Sequence, residues 1–280
     1  MTSLEARGLH KSFGEVVAVA DLSFRVEPGE VVGLLGANGA GKSTTMRMLL
    51  GLAAPTKGDV LIGGEPARQV DRRVMGYVPQ GLGLYRDLTV AENLRFAASA
   101  FGVPVPSLND TGLAEFADVM VSDVSLGLRR RLAFIVARCH DPSVLILDEP
   151  TSGVGPLGRA RLWETIHATA DNGAAVLVST HYMEEAEECH RVILMSSGRE
   201  VASGSVADVI GANRSVAVTG EVTTARLAAL AEAGGTVLVS GNGWRVVGLG
   251  LRAVREIVEN GARVEEVPAS FEEAFVALSR

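Results

Sequence analysis

The sequence contains no apolar stretch long enough to cross a bilayer. A membrane-spanning helix needs about 20 predominantly apolar residues, and no window of about 18 uncharged apolar residues occurs in this chain. The first ten residues, M-T-S-L-E-A-R-G-L-H, also lack the apolar core of a secretory signal peptide. Any role at a membrane is therefore expected to come through a partner protein.

The chain also contains little cysteine and carries no excess of positive charge. The 280 residues include two cysteines, Cys139 and Cys189, which provide no disulfide framework and suit a reducing cytosol. Both lie in apolar or helical contexts, so we interpret them as buried structural thiols. The net charge of −7 argues against a general binder of nucleic-acid phosphates, and no nucleic-acid partner is predicted. With 47% hydrophobic and 21% charged residues, the chain is expected to fold around a sizeable core.

The most informative segment runs from residue 36 to residue 44 and reads G-A-N-G-A-G-K-S-T. It matches the pattern G-x-x-x-x-G-K-[ST], a loop whose successive backbone N–H groups point at one phosphate. Lys42 can reach the β- and γ-phosphates of a nucleotide, and the Ser43 hydroxyl can ligate Mg²⁺. A strand is predicted before the loop, at 30–35, and a helix after it, at 44–50, whose N-terminus favours an anion. The candidate nucleotide-binding residues in the loop are Gly36, Asn38, Gly39, Ala40, Gly41, Lys42, Ser43 and Thr44.

Two carboxylates follow a second apolar strand. Residues 144–149 read V-L-I-L-D-E, so that Asp148 and Glu149 come directly after four apolar residues. Such a strand buries its body and presents the acids at its carboxyl end, where α/β sheets bind ligands. We expect Asp148 to hold the Mg²⁺ shell through water. We expect Glu149 to polarise the water that attacks the γ-phosphate.

Two further polar residues follow predicted strands. His181 comes after A-A-V-L-V-S-T, and we predict that it reaches the γ-phosphate; the alternative is an ordinary surface histidine. Gln80 comes after M-G-Y-V-P, where its neutral amide can touch Mg²⁺ or the attacking water; the alternative is an ordinary loop residue. Both residues are therefore candidates for the catalytic site, and Gln80 is also a candidate metal ligand.

Strands and helices alternate along residues 1–204, which predicts an α/β fold with a mainly parallel sheet. Residues from about 89 to 139 are predicted to be mainly helical, with a break at 102–106. Further strands are predicted at residues 4–9, 16–26, 60–62, 75–79, 144–147 and 174–179, and further helices at 159–170 and 183–189.

A second, smaller α+β domain is predicted over residues 205–280. Its predicted order, β-α-β-β-α-β, is that of a ferredoxin-like unit, and Gly241-Asn242-Gly243 favours a hairpin at its centre. We interpret Trp244 as a core residue and the domain as a cap that stabilises a dimer; regulation or partner docking is the alternative. The strands are predicted at 215–218, 236–240, 244–247 and 263–267, and the helices at 223–233, 251–260 and 270–278.

The order of these motifs resembles that of the ATP-binding subunits of ABC transporters, over roughly residues 4–204. Phe13 in K-S-F-G resembles the aromatic residue that stacks on adenine. The phosphate loop resembles Walker A, with Ala37 where proline is usual; Y-V-P-Q resembles the Q-loop, L-I-L-D-E-P-T Walker B, and S-T-H the switch-histidine loop. The resemblance implies a P-loop NTPase core with a helical subdomain at about 89–140, and ATP and Mg²⁺ as ligands.

Three other segments resemble the subgroup that pairs with ABC-2 type permeases, which includes drug, antibiotic and lipid exporters. They read D-L-T-V-A-E-N-L, T-H-Y-M-E-E-A-E and V-E-E-V-P-A-S-F-E-E-A-F. This resemblance implies an ATP-hydrolysing subunit that drives a separate ABC-2 type permease, and it favours an exporter. The chain would then lie on the cytoplasmic face of the membrane, bound through the permease.

Two motifs depart from the family pattern. The signature, usually L-S-G-G-Q or L-S-G-G-M, reads V-S-L-G-L at residues 124–128, which keeps Ser125 and Gly127 but places Leu126 at the first glycine. The D-loop reads S-G-V-G-P and lacks its usual aspartate, and the helical stretch before the signature is shorter than in the family. We interpret the following R-R-R, residues 129–131, as a helix face with solvated or interface charges.

In the family, the signature and the D-loop complete the ATP site of a second subunit. The departures therefore favour an asymmetric dimer with a different ATP-binding subunit; a slow homodimer is the alternative. Two other functions stay open. The chain can be a weakly active regulatory partner in an asymmetric dimer, or a soluble ABC ATPase outside transport. The latter class usually carries two ATPase domains or a long coiled coil, neither of which is visible in the sequence.

Overall fold

The computed structural model describes residues 2–211, 213–258 and 262–279. Its internal contacts divide the chain into two compact units, Met1–Glu200 and Val201–Arg280. The division falls within the strand Arg199–Gly204, at whose last residue the sequence places the domain boundary. Each unit has its own cluster of buried apolar residues.

The first unit contains two sheets and four α-helices among its described residues. Every strand that the sequence predicts in this unit is confirmed, with ends that differ by a few residues. The strands are β1 (Leu4–Phe13), β2 (Val16–Val26), β3 (Val31–Leu35), β4 (Lys57–Ile62), β5 (Glu65–Pro66), β6 (Met75–Val78), β7 (Val144–Asp148), β8 (Ala175–Thr180), β9 (Arg191–Ser196) and β10 (Arg199–Gly204). The α-helices are α1 (Lys42–Leu49), α2 (Val90–Phe101), α3 (Leu126–Arg138) and α4 (Pro156–Asp171).

The central sheet brings the predicted site residues to one edge. Its strand order is β10-β9-β3-β8-β7-β6, and β3, β8, β7 and β6 pair in parallel. Every residue of β3, β7 and β8 is buried, as expected for apolar strands covered on both faces. Because the carboxyl ends of parallel strands share one edge, the segments that follow these four strands meet there.

The second sheet is antiparallel, in the order β2-β1-β4-β5. It packs on the central sheet through one buried apolar cluster, to which α1 also contributes. This cluster fixes the position of the phosphate loop between β3 and α1. Its members include Leu9, Val19, Leu34, Met46, Ile62 and Ile146.

The stretch between α2 and α3 is less helical than the sequence analysis predicts. It contains only two short 3-10 turns among its described residues, Asn109–Thr111 and Ala114–Phe116. Pro104 and Pro106 have no N–H group and disfavour helix at the residue before them, so α2 cannot continue. The stretch is instead held by a small apolar cluster of Val90, Leu113, Val121, Val124 and Leu132.

Two other details of the first unit differ from the prediction. The acidic helix expected at 183–189 is a 3-10 helix, Met183–Glu188. The strands β9 and β10 were missed, although V-I-L-M followed by Ser197 and Gly198 carries a strand and turn signal. With β9 beside β3, the central sheet is wider than the sequence analysis indicated.

The second unit has a four-stranded sheet of order β12-β13-β11-β14, in which all neighbours are antiparallel. Trp244 is partly buried and packs against the apolar core of this unit. The predicted helix 251–260 is present as far as Val258, and positions 259 and 260 lie outside the described residues. The elements are α5 (Val206–Ile210), β11 (Arg214–Gly220), α6 (Thr224–Glu232), β12 (Thr236–Ser240), β13 (Gly243–Val247), α7 (Leu251–Val258), β14 (Ala262–Pro268) and α8 (Phe271–Leu278).

Among the described residues of both units, we find no helix with the length and apolar character needed to cross a membrane.

Candidate functional site

The phosphate-loop sequence forms a tight turn between β3 and α1. Gly41 caps α1 at φ 102°, and a Cβ at this position would lie 2.5 Å from the carbonyl oxygen of Ala18, so only glycine fits. Lys42 is 5% exposed, and its Nζ donates hydrogen bonds to the carbonyl oxygens of Gly36 at 2.6 Å and Ala37 at 3.1 Å. The first N–H groups of α1 lack partners within the helix, as at every helix start, and so favour an anion.

A cavity of about 330 Å³ lies over the loop. Gly36 and Ala40 are buried beneath the loop, while the other predicted loop residues line the cavity. Gln80 and Glu149, which come from two other strand ends, also line it. The structure therefore brings most of the predicted site residues to one cavity. Its lining residues are Ala18, Asn38, Gly39, Gly41, Lys42, Ser43, Thr44, Gln80 and Glu149.

Asp148 and Glu149 are joined by a serine that the sequence analysis did not single out. Asp148 is 6% exposed and accepts a hydrogen bond of 2.6 Å from Ser179 Oγ. The same Oγ accepts a hydrogen bond of 3.0 Å from the N–H of Glu149. Ser179 lies opposite Asp148 in the β7–β8 pair, two residues before His181, so its place at the same strand end was the available signal.

Glu149 stands between the other two predicted catalytic residues. Gln80 Nε2 donates to its Oε2 at 3.3 Å, and His181 Nδ1 lies 3.1 Å from its Oε1, close but not aligned as a hydrogen bond. The backbone of Glu149 is in the left-handed region, at φ 49°. Residues other than glycine rarely occupy this region, and they do so mostly where the surrounding structure holds them.

The electrostatics of the cavity favour an anion. Burial lowers the pKa of Lys42, and the nearby Glu149 and Asp148 carboxylates oppose this shift. Within the described part of the chain, no carboxylate lies within 4.0 Å of the Lys42 ammonium, which bonds only to backbone carbonyl groups. A phosphate in the cavity would give this buried cation a partner of opposite charge.

Oxygen donors suitable for Mg²⁺ lie near the cavity, at the carboxyl-end edge of the central sheet. The Ser43 hydroxyl and the Gln80 amide line the cavity, and the Asp148 carboxylate ends the neighbouring strand. These hard oxygen donors fit Mg²⁺, which usually binds one or two carboxylates together with water and substrate phosphate. No cluster of three or more His, Cys, Asp or Glu side chains able to hold a metal occurs among the described residues.

Arg130 corrects the interpretation of R-R-R as a solvated or interface face. It is only 7% exposed, and its Nη1 donates to the carbonyl oxygens of Glu149 at 3.0 Å and Pro150 at 2.9 Å. Burial lowers the pKa of its guanidinium group, while the Glu149 carboxylate opposes the shift. The sequence carried no local signal for this contact, because the bonded residues are 19 and 20 positions away.

Phe13 lies at the tip of the β1–β2 hairpin, where it pairs with Val16. The residue is 56% exposed, and Lys11 Nζ lies 4.9 Å from the centroid of its ring. It does not line the cavity itself, but β2 reaches the cavity through Ala18. The structure therefore leaves this aromatic ring exposed on a hairpin whose second strand borders the phosphate loop.

The altered signature lies elsewhere. Ser125 caps α3, its Oγ accepting from Leu128 N at 3.4 Å, and it lines a separate groove of about 650 Å³ together with Gly127. No phosphate-loop residue lines that groove. Leu126 points at the altered D-loop, because a Cβ on Gly153 would lie 3.0 Å from its Cδ2. The structure does not bring Ser125 or Gly127 to this chain's own phosphate loop.

Comparisons with known proteins agree on one family. A sequence profile described as ABC transporter matches residues 19–152. Nod factor export ATP-binding protein I of Paraburkholderia xenovorans (strain LB400) is 43% identical over 220 residues, which are 74% of this chain and 72% of that protein. Probable multidrug ABC transporter ATP-binding protein YbhF of Escherichia coli (strain K12) is 40% identical over 219 residues. The match covers 74% of this chain but only 38% of YbhF.

Solved structures show the same fold. A structure described as the ATP-binding subunit of an ABC transporter aligns with a TM-score of 0.68 at 31% identity, over 74% of this chain and 91% of that one. The dimeric ATP-binding cassette MJ0796 bound to ADP and Pi aligns with a TM-score of 0.63 at 23% identity, over 72% of this chain and 98% of that one. The second likeness supports the fold alone. The chain belongs to the ABC transporter family of ATP-binding subunits, which are ATPases.

Proposed function

We propose that this chain binds and hydrolyses ATP in order to drive a separate membrane permease of the ABC-2 type, as part of an exporter. The observation that carries the proposal is the position of Glu149. Its carboxylate contacts Gln80 and lies beside His181, and Glu149 lines the same cavity as the phosphate loop. The relatives named for multidrug transport and Nod factor export support the export direction.

The phosphate loop would bind the triphosphate through backbone N–H groups and through Lys42. The ammonium group would exchange its bonds to the carbonyl groups of Gly36 and Ala37 for contacts with the β- and γ-phosphates. Phe13 would stack on the adenine ring, which its exposed position at the hairpin tip allows. The nucleotide would thus be held at both ends by this chain.

Glu149 would orient and polarise the water that attacks the γ-phosphorus. The Gln80 amide and the His181 ring would hold its carboxylate in place, and His181 would contact the γ-phosphate. Phosphoryl transfer depends mainly on such positioning and on charge compensation. Ser43, Asp148 and Gln80 would hold Mg²⁺, which supplies positive charge to the phosphate oxygens when bound.

The permease would contact the segment 80–89 and the helical subdomain at about 89–140. Tyr85 and Phe96 pack edge to face there, with ring centroids 4.9 Å apart, and are 50% and 53% exposed. Exposed aromatic residues of this kind are typical of protein interfaces. Since Gln80 also contacts Glu149, a movement at this surface would reach the site of hydrolysis. The chain would lie on the cytoplasmic face of the membrane through this contact.

A second, different ATP-binding subunit would complete the site. Leu126 replaces a glycine at the N-terminus of α3, where a leucine adds bulk in front of the backbone N–H groups that would otherwise approach a γ-phosphate. This chain would therefore keep its own half of one ATP site and offer a poor half to its partner. A purified preparation of this chain alone should bind ATP with little turnover; brisk hydrolysis by a homodimer contradicts the asymmetric pairing.

The C-terminal unit would be a ferredoxin-like cap that stabilises the dimer. The observed strand order, β12-β13-β11-β14, supports the ferredoxin-like part of this proposal, because helices α6 and α7 join the strands in the β-α-β-β-α-β order. The prediction that residues 205–280 act as one domain follows from the same observation.

Glu149→Gln tests the proposed catalysis in the complex with the permease and any second subunit encoded beside it. General acid–base residues typically contribute about 10² to 10⁴ in rate, so we expect turnover to fall by that factor while ATP affinity is kept. Glu184→Gln is the matched control, because the Glu184 side chain is 88% exposed and should leave turnover unchanged.

An unchanged turnover in Glu149→Gln would favour a different role. The chain would then be a regulatory ATP-binding partner, a candidate that the altered signature, with Leu126 as the first residue of α3, favours. Direct measurement of nucleotide binding separates this outcome from a loss of the site, because a regulatory partner still binds ATP through Lys42.

A further inference from the structure

Arg130 makes a buried contact that the proposed mechanism does not use. It lies in the second turn of α3, the helix that begins after Ser125. A single nitrogen of its guanidinium group, Nη1, bonds to the carbonyl oxygens of both Glu149 and Pro150. The contact therefore joins the helix that carries the signature to the backbone of the residue proposed to act on the attacking water.

The other side of the same residue is held by Ser179. The N–H of Glu149 donates to Ser179 Oγ at 3.0 Å and to the Ser179 carbonyl oxygen at 3.2 Å. Glu149 thus has its N–H bound from β8 and its carbonyl bound from α3. Its φ of 49° costs free energy for a residue with a side chain, so outside contacts must maintain it.

A purely structural anchor would not need a cation at this position. Burying a guanidinium group is costly unless its donors are satisfied, and Arg130 Nε is buried without a hydrogen-bond partner. In the part of the chain that the structure describes, no carboxylate lies within 4.0 Å of this guanidinium group, whose bonds are to backbone oxygens. A charged donor makes stronger hydrogen bonds to carbonyl groups than a neutral one, and hence a stiffer support for Glu149.

We propose that Arg130 is a positioning residue that holds the backbone of Glu149 and makes the placement of its carboxylate depend on the orientation of α3. The inference deepens the proposed function and depends on it. The N–H and the carbonyl group of Glu149 are both held, by Ser179 and by Arg130, and its side chain extends from this fixed backbone. A shift of α3 would therefore move the carboxylate relative to the phosphate loop. Engagement of Ser125 by the second subunit would in this way affect hydrolysis at this chain's own site.

Arg130→Met removes the two bonds and keeps a long apolar side chain. In the assembly in which the wild type hydrolyses ATP, we expect kcat to fall by about 10- to 100-fold, the order of loss caused by a misplaced catalytic group. The KM for ATP and the affinity for a non-hydrolysable ATP analogue should change by less than about two-fold, because Arg130 does not line the nucleotide cavity.

Arg130→Lys keeps the experiment informative if the methionine variant folds poorly. Because both bonds come from one nitrogen, a single ammonium group can donate to both carbonyl oxygens, although the lysine side chain is shorter. We expect kcat between those of the wild type and Arg130→Met. Arg131→Met is the control: it also removes a 2.9 Å bond from α3 to a backbone carbonyl, but that carbonyl belongs to Thr111. Its kcat should remain within about two-fold of the wild type.

A double-mutant cycle tests whether Arg130 acts through the glutamate. If it does, adding Arg130→Met to Glu149→Gln leaves the residual turnover unchanged. An equal fall in kcat on both backgrounds, or a wild-type kcat in Arg130→Met, overturns the inference. Failure of the proposed function looks different, because the wild-type assembly itself would then not hydrolyse ATP or would not respond to Glu149→Gln.

Discussion

Replacement of Lys42 by methionine should separate stability from ligand binding. In the protein alone, the substitution removes two hydrogen bonds from a charged donor, to the carbonyl groups of Gly36 and Ala37. Such bonds contribute about 1.5–3 kcal/mol each. The substitution also removes an ammonium group that is only 5% exposed, whose burial costs several kcal/mol. The two effects nearly offset, and we expect the free energy of unfolding to change by less than about 2 kcal/mol.

The stabilisation by ATP should differ far more between the wild type and Lys42→Met than their stabilities without ATP do. At a concentration of about 100 times Kd, a ligand that binds only the folded state stabilises it by about 2.7 kcal/mol, or roughly 5–10 °C in Tm for a unit of this size. Loss of two charge-assisted phosphate contacts should weaken binding by at least about 100-fold. At the same ATP concentration the variant would gain only about 0.4 kcal/mol, which is roughly 1 °C.

Thermal unfolding of both proteins with and without Mg-ATP measures these shifts. Lys57→Met is the matched control, because Lys57 is exposed on β4 and does not line the nucleotide cavity. It should keep the full ATP-dependent rise in Tm. A full rise in Lys42→Met would refute the assignment of the loop as the phosphate site.

The pH dependence provides a second measurement on the same pair of proteins. Burial lowers the pKa of Lys42 in the folded state, so in the alkaline range the unfolded chain binds more protons at this position. Stability rises with pH wherever the unfolded state binds more protons. The free energy of unfolding of the wild type, minus that of Lys42→Met, should therefore be constant below the lowered pKa and rise from there to about pH 10.4, the ordinary lysine pKa. A fall over this range would contradict the buried ammonium.

Three further outcomes are expected. Ser179→Ala removes the 2.6 Å bond to Asp148, which should lower the free energy of unfolding by about 1.5–3 kcal/mol and also lower kcat; an unchanged Tm and kcat would show that the bridge is dispensable. Burial raises the pKa of Cys189 to about 12, so a thiol reagent at pH 8 should modify it slowly until the protein unfolds; rapid labelling of the folded protein would contradict this. Glu273→Gln breaks the ion pair with Arg245, 3.5 Å away, and should destabilise the second unit by about 2–4 kcal/mol; unchanged hydrogen exchange in residues 201–280 would contradict it.

The elements that the sequence predicts well are those with a local signal. The apolar runs of β3, β7 and β8 are buried on both faces, which is the property that makes such runs recognisable. The phosphate loop is also local, because glycine spacing and the following helix start together determine its geometry. The predicted meeting of Gln80, Glu149 and His181 required only one further rule, that parallel strands end at one edge.

The stretch between α2 and α3 is less helical than predicted, because its apolar residues favour a helix that the structure does not form. The break at 102–106 is predicted, but the apolar residues that follow it suit a helix, whereas the structure buries Leu113 and Val121 from a nearly irregular chain. Tertiary packing decides the conformation of such a segment, and a single sequence does not show that packing. The hairpin of β9 and β10 is a different case, since its apolar run and its Ser197-Gly198 turn are both visible in the sequence.

Two site residues, Ser179 and Arg130, are not recognisable in the sequence, and the physical reason is the same for both. Their partners at Glu149 lie 30 and 19 positions away, and neither a serine in a strand nor an arginine in a basic run is distinctive by itself. In the proposed mechanism the motifs determine which groups meet the phosphates, whereas Ser179 and Arg130 hydrogen-bond to the backbone of Glu149. A chain that kept every motif but lost the packing of α3 against the end of β7 should therefore still bind ATP through Lys42. It should hydrolyse ATP slowly, since binding and positioning depend on different contacts.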